Sequence, residues 1–142
     1  MHVSAKADYA LRALLEIAAH DPDPVSMTEV VDRQALPRSF AVAILPELRR
    51  ADFVRMRREH GVGYSLARPP DEIHVGDVLR AVDGPFVLVR GVPSHEVTYH
   101  GPAAALAELW RAADDRLDHL LEEVTLADLL SARGDSRWVA AQ

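Results

Sequence analysis

The chain contains no cysteine among its 142 residues. This excludes disulfides, thiol nucleophiles, cysteine-type structural zinc and thiolate-bound iron–sulfur clusters, though it says nothing firm about compartment. No apolar run approaches the roughly 18 residues that suggest a membrane span, and the N-terminus lacks the apolar core of a signal peptide. The expected setting is the cytoplasm, with no membrane partner. Also missing are a nucleophile beside a base, a phosphate-cradling loop and a cluster of metal ligands. Asp114 and Asp115 are adjacent, so on a helix they diverge instead of forming a carboxylate pair. An enzyme is not expected. Glycine and proline, at 7 and 9 residues, are too ordinary for wholesale disorder, and an apolar share of 49% is enough for a modest core. The length fits one domain, or a small domain with a helical arm.

What the chain does have is an uneven distribution of charge. Its formal net charge is −6, yet Leu36 to Arg68 carries seven arginines (Arg38, Arg49, Arg50, Arg55, Arg57, Arg58, Arg68) against Glu47, Asp52 and Glu59. Residues 1–35 hold three basic and six acidic side chains, and residues 69–142 hold six and thirteen. A basic island in an acidic chain points to a polyanionic partner met on one surface. The plain alternative is that the excess acid only keeps the protein soluble. The island reads in order as a helix, a strand alternating apolar and basic residues from Phe53 to Arg58, a tip at Glu59-His60-Gly61-Val62-Gly63, and a return strand with Tyr64, Leu66 and Ala67. A helix followed at once by a hairpin is the layout of a winged helix-turn-helix. In that layout the helix enters the DNA major groove and the hairpin tip lies against the backbone or minor groove. The glycine pair lets the tip approach a phosphate closely; the alternative is a plain hairpin whose arginines are merely solvated.

Before the island, Ser4 to His20 has helical spacing. Tyr9, Ala13 and Ile17, with Ala10 and Leu14, share one face. Ser4 can cap the start, Lys6 and Arg12 point elsewhere and could touch phosphate, and Tyr9 could serve the core or the contact. Two prolines make His20 to Val25 a loop. Ser26-Met27-Thr28-Glu29 is a capping box for a short helix to about Arg33. In the turn that follows, Ala35 stands where many such units use glycine, so the turn is either differently shaped or slightly strained. The second helix of the pair runs from about Arg38 to Ala51. Phe40, Ile44 and Leu48 are expected inward beside Leu45, with Ser39, Val42, Ala43 and Arg49 nearer the outside. Pro46 lies within it, a defect worth roughly 3 kcal/mol in an exposed helix; it is expected to kink the helix near Val42 or to begin a new one.

After the island, Pro69 to Glu72 is a connector and Ile73 to Val82 a short helix ended by Gly84-Pro85. Phe86 to Val89 is extended, and Arg90 to Pro102 reads as a loop without a packing role. Ala103 to Val124 is the longest helix. Leu106, Leu109, Trp110, Ala113, Leu117, Leu120 and Leu121 form its apolar stripe, with Glu108, Arg111, Asp114, Asp115, Asp118 and Glu122 on the other face. A stripe this long exceeds what one small domain needs, so pairing with a second subunit is expected; packing within one chain is the alternative. Thr125 to Asp128 caps a last short helix, with Asp128 where Glu is usual. From Ser131 the chain reads as a loose polar tail, held only where Trp138 and Val139 find a surface.

The runs KADYALRALLEIAAH, LPRSFAVAILPELRRADFV, GVGYSLARPPDEI, HVGDVLRAVDGP and VTLADLL together resemble the Rrf-two family of bacterial repressors, which includes an iron–sulfur-cluster regulator and a nitric-oxide sensor. The resemblance spans about residues 2 to 130 in one order; any single piece would be weak. It implies a fold that is mainly α with a small β-hairpin wing, a winged helix-turn-helix plus a long dimerisation helix. The implied division is 1–70 for DNA binding, 71–130 for connector and dimerisation helices, and 131–142 for the tail. It also implies a homodimer on a roughly palindromic operator in double-stranded DNA. By motif position Lys6 and Tyr9 match backbone contacts of the first helix, Arg38 and Ser39 the start of the recognition helix, and Arg58 the wing arginine that reaches the minor groove. With these, Ser26, Thr28, Phe40, Arg49, Arg57 and His60 complete the candidate DNA contacts.

Two departures stand out. Iron–sulfur members carry a Glu-Gln pair on the recognition helix; here Val42 and Ala43 offer only apolar contact, as to a thymine methyl, leaving readout to Ser39, the arginines and DNA shape. The three cluster cysteines would fall between about Val89 and Pro102, and none is there. A cysteine-held cluster is excluded. His95 and His100 mark that loop as the place for an effector, and Asp8 matches a carboxylate ligand that one branch supplies from the partner subunit; a His and carboxylate metal site is the lesser expectation beside a small organic effector or none. The expected protein is a DNA-binding transcriptional regulator, a repressor acting as a homodimer. Its rival is a protein-interaction module that keeps the fold and has lost sequence-specific DNA binding.

Overall fold

In the computed structural model, which describes residues 1–59 and 61–131, helix α1 (Ala5–His20) is the element around which the others pack. It meets α2 (Met27–Gln34), α3 (Arg38–Arg50), α4 (Val75–Asp83) and α6 (Leu126–Ser131). Its buried face is built from small residues, Ala7, Ala10 and Ala13, beside the fully buried Leu14 and Ile17. Small side chains let neighbouring helices approach closely, and the larger ones fill the gaps that remain. One core joins Leu14 and Ile17 to Val30, Ile44, Leu45, Leu48, Val54, Ile73, Val78 and Leu126. Ser4 caps α1 by accepting from the Ala7 N–H at 3.0 Å. Its own N–H donates to Asp83 Oδ2 at 3.0 Å and its hydroxyl to Asp83 Oδ1, which ties the start of α1 to the end of α4.

Helix α2 begins with the expected capping box: Glu29 N–H donates to Ser26 Oγ at 3.1 Å, and Ser26 N–H to Glu29 Oε2 at 2.8 Å. Ala35 ends the helix at φ 51°, ψ 45°, the left-handed conformation that glycine adopts without steric cost. Of the two expected forms of this turn, the chain adopts the strained one. Helix α3 runs unbroken through Pro46, so no new helix begins there. Its buried positions are Ala41, Ile44, Leu45 and Leu48, one step removed from the expected Phe40, Ile44, Leu48 set. Phe40 is 36% exposed, with its ring set against Tyr9 of α1, and Ala41 takes the inward place.

The wing is an antiparallel pair, β1 (Val54–Arg57) and β2 (Gly63–Leu66), with Val54 opposite Leu66 and Arg57 opposite Gly63. Phe53, expected in the strand, is buried just before it. The loop before α2 adds a third partner that the sequence reading left out: Val25 N–H donates to the Tyr64 carbonyl at 2.8 Å and Tyr64 N–H to the Val25 carbonyl at 2.7 Å. This approach dictates Gly63, where a Cβ would lie 2.8 Å from Pro24 Cβ. The return strand is thus fixed to the body close to the wing tip.

One expectation for the second half needs correction. Residues 86–102 do pack. Leu88–Val89 (β3) pairs with Val92–Pro93 (β4) around Arg90 and Gly91, both at positive φ (53° and 77°), as a tight two-residue hairpin requires. Ser94 and Val97 beyond it are buried. Ser94 Oγ donates to Asp114 Oδ2 at 2.6 Å, and Trp110 Nε1 donates to the Tyr99 hydroxyl at 2.9 Å, both anchoring the segment to α5 (Ala105–Glu123). The acidic side of α5 meets α4. Arg80 of α4 binds Asp118, reaches Glu122 at 3.0 Å and holds Asp77 at 3.1 Å. Thr125 and Asp128 exchange the expected capping bonds at 2.9 and 3.1 Å before α6. The expectations for His60, Trp138, Val139 and the tail from residue 132 onward lie outside the described residues.

Candidate nucleic-acid interface

Helix α3 turns one face to solvent: Ser39, Val42, Ala43, Pro46, Arg49 and Arg50 are all exposed, at the i, i+3, i+4, i+7 spacing of a single stripe. The wing follows directly. Arg49 Nη1 from α3 lies 3.9 Å from Met56 Sδ, and Arg58 Nη2 from the wing lies 3.6 Å from the same sulfur. Met56 therefore gathers two guanidinium groups from different elements at the joint between helix and wing. Nothing in the sequence reading assigned it a role; its place between Arg55 and Arg57 was the only signal.

Arg38, Arg49, Arg50 and Arg58 have no acidic side chain within ion-pair distance among the described residues. Arg38 makes one long hydrogen bond, 3.5 Å, to Thr28 Oγ1, so the exposed Thr28 lies beside the start of α3. Arg57 is neutralised locally by Glu59 at 3.0 Å, and Arg55 donates to the Ala67 carbonyl at 2.9 Å. Arg68, likewise without an acid partner among the described residues, lies 5.1 Å over the Phe53 ring; phosphate attraction is strongest for cations not already paired, so Arg38, Arg49, Arg50 and Arg58, held by neither an acid, a backbone carbonyl nor a ring, form the site's electrostatic core.

The first helix contributes differently from expectation. Lys6 Nζ sits 2.8 Å from Glu47 Oε1 of α3. Arg12 bonds Asp8 at 3.2 Å and the Gln34 carbonyl. Neither side chain is free, and each braces one helix against another. Tyr9 is half-buried and meets Phe40 edge to face, with ring centroids 4.9 Å apart at 77°, while the Arg12 guanidinium lies 5.3 Å above the Tyr9 ring. This stack holds the first turn of α3 against α1; such aromatic pairs contribute about 0.5–1.5 kcal/mol beyond their area. Ser26 is spent on the α2 capping box, and the hydrogen bond to the Ser26 backbone holds the Glu29 carboxyl below its ordinary range, helped by the Ser26 hydroxyl and Arg33 against some desolvation. Of the expected contacts, Thr28 meets Arg38 at the start of α3, Ser39 and Arg49 lie on the exposed stripe and Arg58 joins Arg49 at Met56, while Arg57 pairs with Glu59, Phe40 with Tyr9, Lys6 with Glu47 and Ser26 with Glu29.

A match to the Rrf2 family, described as an iron-dependent transcriptional regulator, covers residues 3–132. The chain belongs to the Rrf2 family of transcriptional regulators. An Mycobacterium tuberculosis (strain ATCC 25618 / H37Rv) protein named as a candidate HTH-type transcriptional regulator, Rv1287, is 42% identical over 130 residues, 91% of this chain and 81% of the relative. The HTH-type transcriptional regulator IscR of Sodalis glossinidius (strain morsitans) is 33% identical over 132 residues, 92% of this chain and 79% of the relative. Among solved structures, CymR, the global cysteine regulator of B. subtilis, superposes with a TM-score of 0.77 at 30% identity, over 92% of this chain and 97% of that one. The IscR of T. potens gives 0.75 at 28% identity, over 92% and 86%. This Rrf2 protein is therefore a winged helix-turn-helix regulator, mainly α with a hairpin wing, and its relatives are regulators and not enzymes.

The iron in the family's description raises the question of ligands. This Rrf2 chain has no cysteine, and among the described residues no three His, Asp or Glu side chains gather where they could hold a metal ion. Asp8 is paired with Arg12. The His95 side chain is 69% exposed and its nearest carboxylate, Glu96, lies 3.6 Å away. The residues present do not fit a cysteine-held cluster. His95 instead borders an open cleft of about 310 Å³ with Arg80, Gly84, Pro85, Phe86, Asp114 and Asp118, and His100 is not part of it. Partial burial works against the Arg80 charge, but the hydrogen bond it donates to Asp77 and the field of Asp118 and Glu122 outweigh it and hold this guanidinium more firmly protonated than usual.

Proposed function

We propose that this protein is a homodimeric repressor in the cytoplasm that binds a roughly palindromic operator through α3 and the wing, without a cysteine-held cluster. The observation that carries the reading is the set of unpaired arginines, Arg38, Arg49, Arg50 and Arg58, framing the exposed stripe of α3 in a chain of net charge −6. Two such helices, related by a two-fold axis, would read two half-sites one DNA turn apart. Support for the dimer comes from α5. At about 100° per residue, its apolar stripe and the acidic row Asp114, Asp118 and Glu122 lie about a third of a turn apart, and the helix docks on its own subunit between them through Leu117, Leu121 and the Arg80 acids. That leaves Leu106, Leu109 and Leu120 exposed at 38%, 55% and 43%, with Trp110 and Ala113 half-buried between them. A second copy of the same face would cover them. A small-molecule effector fits the cleft beside His95 as the input that shifts operator binding.

The test is capture of genomic DNA fragments by the EDTA-treated protein across a salt series. Selective capture of a palindromic site, with affinity falling steeply and log-linearly with salt, is the expected result. Capture without selectivity, or binding indifferent to salt, would sink it. One observation favours a second reading: Val42, 54% exposed, puts an apolar side chain at the centre of the face. A protein-interaction module would bind a protein there and ignore loss of the arginines, so Arg58→Ala separates the two.

A further inference from the structure

We propose that α3 reads its operator through the C5 methyl groups of thymines, with Val42 as the specificity-determining side chain and Ala43 extending the same contact. The inference rests on the DNA-binding reading above and deepens it. Ahead of Arg49 and Arg50, the stripe that α3 presents runs Ser39, Val42, Ala43, Pro46. Bidentate base reading needs a planar pair of donors or acceptors, supplied by Arg for guanine and by Asn or Gln for adenine. None of these four side chains has one, and Pro46 lacks even a backbone N–H. The arginines stand at its two ends, Arg38 just before Ser39 and Arg49 and Arg50 as its last members. Arg38 leans back to Thr28 on α2, while Arg49 leans to Met56 at the wing, positions suited to the phosphate walls on either side of a groove.

The centre of the face is then apolar and its rim cationic. A major groove lined with thymine methyls between two phosphate strands has the complementary pattern: apolar on its floor, anionic on its edges. Val42 is held ready for it. Its neighbours Ala41, Ile44 and Leu45 are locked in the core, and the Phe40–Tyr9 stack fixes the turn of helix that carries it, so Val42 is exposed on a rigid element. Covering a methyl against it excludes water from both surfaces and gains about 0.8 kcal/mol, or roughly fourfold in affinity, per methyl.

The experiment uses the full chain and the site it captures from genomic fragments. Each thymine of that site is replaced in turn by deoxyuridine, which removes the C5 methyl and leaves every hydrogen-bonding group in place. The expected result is one or two symmetry-related positions where deoxyuridine weakens binding roughly fourfold each. At those positions Val42→Ala should bind thymine and deoxyuridine about equally, with its salt dependence unchanged. Val42→Thr, which keeps the shape at an exposed position, serves as a second variant and should keep a reduced methyl preference. A captured site with no deoxyuridine-sensitive position, or one whose sensitivity survives in Val42→Ala, overturns methyl readout and leaves the DNA-binding reading standing. Failure to capture any site overturns both.

Discussion

On the α3–wing side of the molecule, Arg38, Arg49, Arg50 and Arg58 stand without an acid partner among the described residues; on the α4–α5 side, Arg80 is held by Asp77, Asp118 and Glu122 and stacks on Phe86 at 5.3 Å. The same side chain serves two purposes according to what surrounds it. An arginine ringed by carboxylates has its charge satisfied within the protein and joins two helices. An arginine without them keeps its field for an outside anion. Exposed apolar residues divide in a parallel way. Val42 lies between Arg38 and Arg49 along α3, the setting proposed for a nucleic acid, whereas Leu106, Leu109 and Leu120 lie on a helix in which six acids outnumber Arg111 and Arg116, the setting proposed for a second copy of the chain.

The comparison can be broken by exchanging what each side depends on. The largest effect is expected from Leu109→Glu. A charge in the middle of the exposed α5 stripe should leave the fold intact but turn dimers into monomers by light scattering, and operator affinity should fall with the loss of the second half-site; an unchanged mass would refute the dimer surface. Next, Arg58→Ala should cost roughly 1–3 kcal/mol of operator binding with no change in melting temperature, and a loss no greater than that of the exposed α5 variant Arg116→Ala would remove the wing arginine from the interface. Arg80→Ala should behave in the opposite sense, losing roughly 1–2 kcal/mol of stability in urea unfolding because three partly exposed ion pairs and a ring contact disappear. An effect on the salt dependence of DNA binding larger than on stability would contradict the division drawn here.

Smaller effects sharpen the description of the scaffold. Ala35→Gly should raise stability by about 0.5–1 kcal/mol, since relief of left-handed strain slightly exceeds the entropy that glycine adds to the unfolded chain; a destabilised variant would mean that the Ala35 methyl is itself packed. The Glu29 carboxyl is more acidic in the folded than in the unfolded chain, so its contribution is present above the ordinary carboxylate value and is lost as pH falls through the depressed one. Wild type and Glu29→Ala should therefore differ in melting temperature near neutrality and converge in acid.

Much of the candidate site was legible because it is local. Helix α3, the wing and their arginines are contiguous, and the period of apolar residues marks a helix giving way to a strand within one stretch. What failed to show were pairings set elsewhere. Lys6 and Arg12 look free along the chain, yet Glu47 lies 41 residues away from Lys6 and the Gln34 carbonyl 22 from Arg12. Phe40 and Ala41 are neighbours on the wheel, and only the position of α1, whose Tyr9 receives the Phe40 ring, decides which turns inward.

By itself the sequence determined the capping boxes at Ser26 and Thr125, the helix and strand periods, the basic island, the long apolar stripe of α5 and the exclusion of a cysteine-held cluster. Each of these follows from residue types or from interactions within about four residues, where the chain's own geometry limits the outcome. The tertiary structure alone decided that Val25 would anchor the wing, that residues 86–102 would pack on α5, and that α5 would dock by Leu117, Leu121 and its acids on Arg80, leaving Leu106, Leu109 and Leu120 uncovered. Those outcomes depend on which distant groups arrive together, and burial and ion pairing depend on proximity in space, which spacing along the chain does not encode.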